Sequence, residues 1–290
     1  TALTEEAVSA IGLALGAKAR ARGIGQVVVG RDGRLSGPAL ARALSAGLCA
    51  AGVDVIDIGM VPTPLVYFAT VLTGSGTGVA VTGSHNPPEY NGLKMMLGGA
   101  TLHGEDIRDI AATLADPARY AALFAATPGT VHTLDVVPDY IARIAGEVKL
   151  ARPLKVVVDA GNGVAGAVAP ALLRALGITD LTELYCEVDG HFPNHHPDPA
   201  HPENLRDLIR EVQARDADID LTFDGDGDRL GVVTRSGQMI FPDRQLMLYA
   251  ADVLEKNPGA TIIYDVKCTR NLAPWIRERG GGPLMWCTVH

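Results

Sequence analysis

Aromatic residues are scarce, at 5% of the chain. A core of stacked rings is excluded, and the interior must rest on Val, Ile, Leu and Ala. Cysteine is equally thin: Cys49, Cys186, Cys268 and Cys287 lie far apart with no C-x-x-C pair. That excludes a disulfide framework and fits reduced thiols, so a cytoplasmic location is expected. No apolar run approaches the ~18 residues that span a bilayer, and no basic-then-apolar leader opens the sequence. Positive charge is in deficit, with 25 Lys and Arg against 33 Asp and Glu and a net charge of -8. Nucleic acid and anionic membranes are therefore not expected as partners, although a local basic pocket is allowed. The G-x-x-x-x-G-K-[ST] loop is missing as well, which argues against a P-loop nucleotide enzyme.

What is present is the composition of a folded α/β protein. Hydrophobic residues make up 47% of the 290 and charged residues 20%. At ~150 residues per domain this length suggests two domains, or two and a part. Three segments share one grammar of strand, polar loop, helix, Gly and strand. Val27-Val28-Val29 leads into Gly30-Arg31-Asp32-Gly33-Arg34, a helix from Pro38 to about Ala51, Gly52 and a strand from Val53 to Ile58. Val156-Val157-Val158 leads into Asp159-Ala160-Gly161-Asn162-Gly163, a helix to Leu176, Gly177 and a strand from Leu181 to Tyr185. Ile262-Ile263-Tyr264 leads into Asp265-Val266-Lys267, a helix to about Arg279 and the strand Leu284-Met285-Trp286. Short Val/Ile runs alternating with helices mean βαβ units, hence repeated domains with mixed, largely parallel sheets. The breaks at Thr127-Pro128-Gly129-Thr130 and Ser236-Gly237 predict domains over 1–130, 131–237 and 238–290. The last is too short to match the others.

Two loops carry chemistry. Thr82-Gly83-Ser84-His85-Asn86-Pro87-Pro88 follows the strand Val79-Ala80-Val81 directly, where ligands gather in α/β sheets. The prolines stiffen it and Gly83 permits close backbone approach, presenting Ser84 as a nucleophile beside His85. A capping Ser in an ordinary turn is the plainer alternative. Asn91-Gly92 reads as a turn that brings Lys94 back towards this loop. Asp224-Gly225-Asp226-Gly227-Asp228-Arg229 is sharper: alternate carboxylates converge on one point and repel unless a hard cation such as Mg²⁺ or Ca²⁺ sits between them. It is not an EF-hand, since the sixth and twelfth positions are Arg229 and Arg235.

Three other patterns compete. Gly161-Asn162-Gly163-Val164-Ala165-Gly166 fits G-x-G-x-x-G, but Asp159 and Ala160 intervene after the strand, so a tight strand-to-helix turn is favoured over a dinucleotide site. His191, His195, His196 and His201 crowd a Pro-rich stretch without a zinc spacing, which reads as an extended interdomain loop. The Gly30 to Ser36 loop could bind an anion or form an internal ion pair. A Ser nucleophile, an acidic metal site and spare basic groups on separate α/β units together suggest metal-assisted phosphoryl transfer.

The two main loops resemble those of the α-D-phosphohexomutase family, and Phe192-Pro193-Asn194-His195-His196-Pro197-Asp198-Pro199 resembles its bacterial phosphomannomutase/phosphoglucomutase branch. The resemblance runs through essentially the whole chain. It implies four domains around a central cleft, the first three related. It implies an isomerase in which a phosphoserine at Ser84 passes its phosphoryl group to a hexose phosphate. A hexose 1,6-bisphosphate intermediate then turns over and returns the other phosphoryl. Asp224, Asp226, Asp228 and the Ser84 phosphate would hold Mg²⁺. Ser84, His85 and Lys94 would be the catalytic set, and Arg229, Lys267 and His290 would bind substrate. The full-length form would be a monomer. Relative to the family pattern the chain starts after a Tyr-Asp-Ile-Arg-Gly stretch. It reads Trp286-Cys287-Thr288-Val289-His290 where Trp-Lys-Thr-Gly-His is usual. The expectation is an incomplete third domain with apolar surface left uncovered, and no fourth. A non-catalytic Mg²⁺ and phosphosugar-binding remnant and a phosphoglucosamine mutase are the alternatives.

Overall fold

The computed structural model describes residues 3–287. The chain opens with α1 (Glu5–Ala21), whose first turn is capped by Thr4 and whose ends carry Glu5 and Glu6, then Lys18 and Arg20, as the helix dipole favours. There follow β1 (Gln26–Arg31), α2 (Gly37–Ala50), β2 (Asp54–Met60), α3 (Thr63–Leu72), β3 (Gly78–Val81), β4 (Leu93–Leu97) and β5 (Ala100–Thr101). Helices α4 (Glu105–Ala115) and α5 (Pro117–Ala121) and strand β6 (Val131–Thr133) complete the first unit. Its sheet runs β5-β4-β3-β1-β2-β6, parallel from β3 through β6 and antiparallel at β3-β4-β5. Helices α1 and α2 cover one face through Val8, Leu15, Leu44 and Leu48, packed on Val27, Val29 and Val55. Helix α3 covers the other through Leu65 and Val66, on Val28, Ile56 and Ala80.

The second unit contains α6 (Val137–Glu147), β7 (Lys155–Asp159), α7 (Ala169–Ala175), β8 (Asp180–Leu184), α8 (Arg206–Arg215), β9 (Ile219–Phe223), β10 (Leu230–Thr234) and β11 (Met239–Ile240). Its sheet runs β11-β10-β9-β7-β8, with β9-β7-β8 parallel and β10 and β11 antiparallel. Val157 and Val233 meet α8, while Val156 and Val158 pack on α7. Last come α9 (Pro242–Lys256), β12 (Thr261–Asp265), α10 (Leu272–Glu278) and β13 (Gly282–Trp286), the strands forming a parallel pair. Ile262 and Tyr264 face Ala250, Leu254, Leu272 and Ile276. Ile263 is exposed on the face opposite Ile262 and Tyr264, because side chains alternate across a strand. Leu284, Met285 and Trp286 are exposed in succession, so neither face of the end of β13 is covered.

The α/β class and largely parallel sheets match the sequence grammar, but two boundaries shift. Strand β6 pairs Val131, His132 and Thr133 with β2, so the first sheet reaches beyond residue 130. Strand β11 pairs with β10, so the second reaches beyond 237. Each is a short edge addition directly after the turn that had marked the break. Lys94 does return on β4, opposite Ala80, but across the long loop 82–92 rather than a two-residue hairpin. Among the described residues no helix is long and apolar enough to cross a membrane.

Candidate active site

The fold brings two loops together, one from each unit. Strand β3 delivers the chain into the 82–92 loop, where Ser84 adopts φ 50°, in the left-handed region. For a non-glycine residue this costs roughly 1–2 kcal/mol. It is held there by neighbours: its amide donates to Thr82 Oγ1 at 2.8 Å, and Thr82 Oγ1 donates to buried Asp32 at 2.8 Å. Strand β9 delivers the second loop, 224–229. Ser84 Oγ donates to Asp224 Oδ2 at 2.9 Å and lies 3.3 Å from His85 Nδ1. Gly225 permits the approach, because a Cβ there would fall 2.4 Å from the Ser84 carbonyl oxygen.

The three aspartates converge. One carboxylate oxygen from each of Asp224, Asp226 and Asp228 lies within 4.8 Å of the others. Asp224 Oδ1 accepts from the Asp228 and Arg229 amides at 3.1 and 3.0 Å, leaving Oδ2 towards Ser84. Asp226 Oδ2 accepts from Thr63 Oγ1 at 2.5 Å and Lys94 Nζ at 2.7 Å. Lys94 Nζ also donates to Asp228 Oδ2 at 2.5 Å. Asp226 Oδ1 is buried with no partner among the described residues. An orphaned, desolvated carboxylate oxygen is costly in a folded protein, and a cation removes that cost. The all-oxygen donor set therefore fits a hard divalent ion.

The electrostatics agree. Burial, then repulsion from Asp226 and Asp228, pushes the Asp224 carboxyl up to about 7. Burial also acts to raise Asp226, but hydrogen bonds from Lys94 and Thr63 hold it below its ordinary value. Burial opposes the charge of Lys94, and its bonds to Asp226 and Asp228 outweigh that, so its pKa is raised. Burial, then the Arg229 guanidinium, depresses the His85 imidazole, which favours a neutral ring.

Ser84, His85, Lys94 and the aspartates thus meet. Arg229 presents an exposed side chain beside them. Lys267 lies apart, at the end of β12, with its ammonium exposed and 4.0 Å from Asp265. His290 lies outside the described residues. The competing patterns resolve into internal structure. Gly161, Gly163 and Gly166 pack closely against His195, Gly225 and the Cys186 carbonyl respectively, so the three glycines serve close internal packing. His195 bonds buried Asp159 at 3.0 Å, whereas His191 pairs with Asp189 and His201 with Asp198 and Glu203. These three histidines therefore point at different acids. Sequence reasoning missed Thr63 as a partner of the acidic loop, and left Arg34 undecided. Arg34 is buried, pairing with Asp32 at 3.1 Å.

Comparison with known proteins identifies the family. Residues 1–120 match the phosphoglucomutase/phosphomannomutase alpha/beta/alpha domain I and residues 138–237 match domain II. The chain belongs to the phosphoglucomutase/phosphomannomutase family. It is 54% identical over 288 residues to a phosphoglucomutase of Neisseria gonorrhoeae, covering 99% of this chain and 62% of that protein. It is 52% identical to a phosphomannomutase/phosphoglucomutase of Pseudomonas aeruginosa PAO1, covering 99% of this chain and 61% of the relative. A crystal structure of a family protein from Burkholderia thailandensis superposes with a TM-score of 0.92 at 56% identity, covering 99% of this chain and 63% of that one. The chain thus spans about three fifths of the length of these relatives.

Proposed function

We propose that this chain carries the phosphoryl-donating and metal-holding part of a hexose-phosphate mutase. The observation that carries the reading is the Ser84 Oγ to Asp224 Oδ2 contact at 2.9 Å, which joins a nucleophile on one unit to an acidic cluster on the next. In this reading the unit ending at β6 bears the phosphoserine and the unit ending at β11 holds the metal. Residues after Ile240 are part of a sugar-binding unit to which Lys267 and His290 contribute.

The phosphorylated Ser84 meets a hexose monophosphate. The bond from phosphorus to Ser84 Oγ breaks as a bond to the sugar hydroxyl oxygen forms, and the hydroxyl proton passes to a base. Neutral His85 is suited to take it, and Lys94, held charged, is suited to contact phosphate and return a proton to a leaving oxygen. The hexose 1,6-bisphosphate turns over, and the reverse exchange regenerates phosphoserine while releasing the isomeric monophosphate. Asp224, Asp226, Asp228 and a Ser84 oxygen would hold Mg²⁺, which when bound neutralises phosphoryl charge. Arg229 would add positive charge at the phosphoryl oxygens, where a loose transition state spreads negative charge. A monomeric full-length form belongs to the same reading.

The test is intact-mass measurement after incubation with a hexose 1,6-bisphosphate. One added phosphate is expected on the wild-type chain and none on Ser84→Ala. Labelling that persists in Ser84→Ala would refute the assignment. It needs a single phosphoryl transfer rather than turnover, and it separates this reading from the non-catalytic alternative, which would take no label.

A further inference from the structure

Beneath the Ser84 loop sits the guanidinium of Arg34, 1% exposed. Such a group offers five N–H donors in a fixed planar fork. Here five bonds account for all of them. Nε donates to Asp32 Oδ2 at 3.1 Å. Nη1 donates to the Pro87 and Tyr90 carbonyls at 2.5 and 2.9 Å. Nη2 donates to the Ser84 and Asn86 carbonyls at 2.8 and 2.7 Å. No donor remains for an external anion. Asp32 completes the template, taking the Gly83 amide at 3.2 Å and the Thr82 hydroxyl at 2.8 Å. Gly83 lies directly on the guanidinium: a Cβ there would fall 2.5 Å from Arg34 Cζ and 2.7 Å from the Tyr90 carbonyl oxygen. From the second unit, the Phe192 ring stacks over Arg34 at 5.3 Å.

We propose that Arg34 is the positioning residue for phosphoryl transfer at Ser84, fixing the 84–90 backbone by four carbonyl contacts without touching the reacting atoms. The proposal rests on the mutase reading above. Its physical content is that fork geometry, not charge, does the positioning. A lysine has three donors on a point charge and cannot serve four carbonyls spread along a loop.

The experiment measures the rate of Ser84 labelling by a hexose 1,6-bisphosphate in Arg34→Lys and Arg34→Gly, each with added guanidinium chloride or sodium chloride. A displacement of about 1 Å at a reacting group costs on the order of 100-fold, so both variants should slow by about that factor. Guanidinium ion, but not sodium, should restore at least ~10-fold of the loss in Arg34→Gly, because it re-forms the planar fork. Gly83→Ala, which keeps the arginine but displaces it, should slow labelling too. It guards against an Arg34→Gly chain that does not fold. Labelling of Arg34→Lys within about threefold of wild type would overturn the proposal, because a point charge would then suffice. So would a loss in Arg34→Gly that guanidinium leaves unchanged. A wild-type chain that takes no label would count against the mutase reading instead. Hydrogen exchange then decides the positioning claim: the 83–92 amides must lose protection in Arg34→Gly and regain it with guanidinium, and failure to do so would overturn it.

Discussion

Thr63 reaches Asp226 from the first turn of α3, donating through Oγ1 to Oδ2 at 2.5 Å while its amide donates to the Asp226 carbonyl at 2.9 Å. It fixes the carboxylate whose other oxygen is orphaned. Partners that orient a metal ligand typically contribute 10- to 100-fold in affinity, so Thr63→Val should weaken Mg²⁺ binding by ~10- to 100-fold. Calorimetry with Mg²⁺ measures this, and unchanged affinity would show that Thr63 does not orient a ligand. Ser84 and the three aspartates could be singled out from the sequence as candidates because the pattern that marks them is local, a glycine-bounded loop and an alternating acidic run. Thr63 could not, because its partner lies 163 residues away and a lone Thr at a helix start has its own capping explanation. Arg34 was ambiguous for a related reason: only the folded loop shows that its donors are already taken.

At the scale of the element, β9 carries an anomaly. Asp220 faces Val157 and Val233 on the neighbouring strands, on the side covered by α8. It is fully buried, and neither carboxylate oxygen has a hydrogen-bond partner among the described residues. Burial pushes its pKa up to about 7. An acid with a raised folded pKa binds more protons folded than unfolded, so its contribution to stability falls as pH rises from the unfolded value near 3.8 to about 7. Asp220→Val should therefore raise stability by about 1–3 kcal/mol at pH 8, the usual cost of an unsatisfied buried group, and much less at pH 4. Urea unfolding at the two pH values tests this. An Asp220→Val chain less stable than wild type at pH 8 would mean that the carboxylate has a stabilising partner. The same strand shows the limit of periodicity. Its five residues are long enough to alternate, whereas β6 and β11 have three and two, too few to carry a measurable period.

Across the whole molecule, the candidate site depends on how two sheets meet. Val168 of the second unit packs into the cluster formed by Val28, Ile58 and Val66 of the first, so the units share buried surface. Above it Gly225 lies against the Ser84 carbonyl. Gly225→Ala puts a methyl group into that contact and must force the loops apart. Each sheet should remain intact while Ser84 labelling falls by on the order of 100-fold, as expected for a shift of about 1 Å at a reacting group. Labelling at the wild-type rate would mean that the two loops need not touch. The repeated α/β architecture was evident from the strand-loop-helix grammar. The contact between units was not, since glycine spacing reports a tight turn without naming what fills the space beside it.

Affinity for Mg²⁺ before and after phosphorylation of Ser84 tests most directly whether Ser84 and the aspartates form one phosphoryl-transfer site. A phosphoserine beside Asp224 supplies a dianionic oxygen ligand to an ion held by hard oxygen donors. Calorimetric titration of the two phosphoforms, prepared with and without a hexose 1,6-bisphosphate, should show tighter binding to the phosphorylated chain, and Asp226→Asn should weaken binding in both. Equal affinity of the two wild-type phosphoforms would place the metal and Ser84 in separate sites and contradict the mechanism.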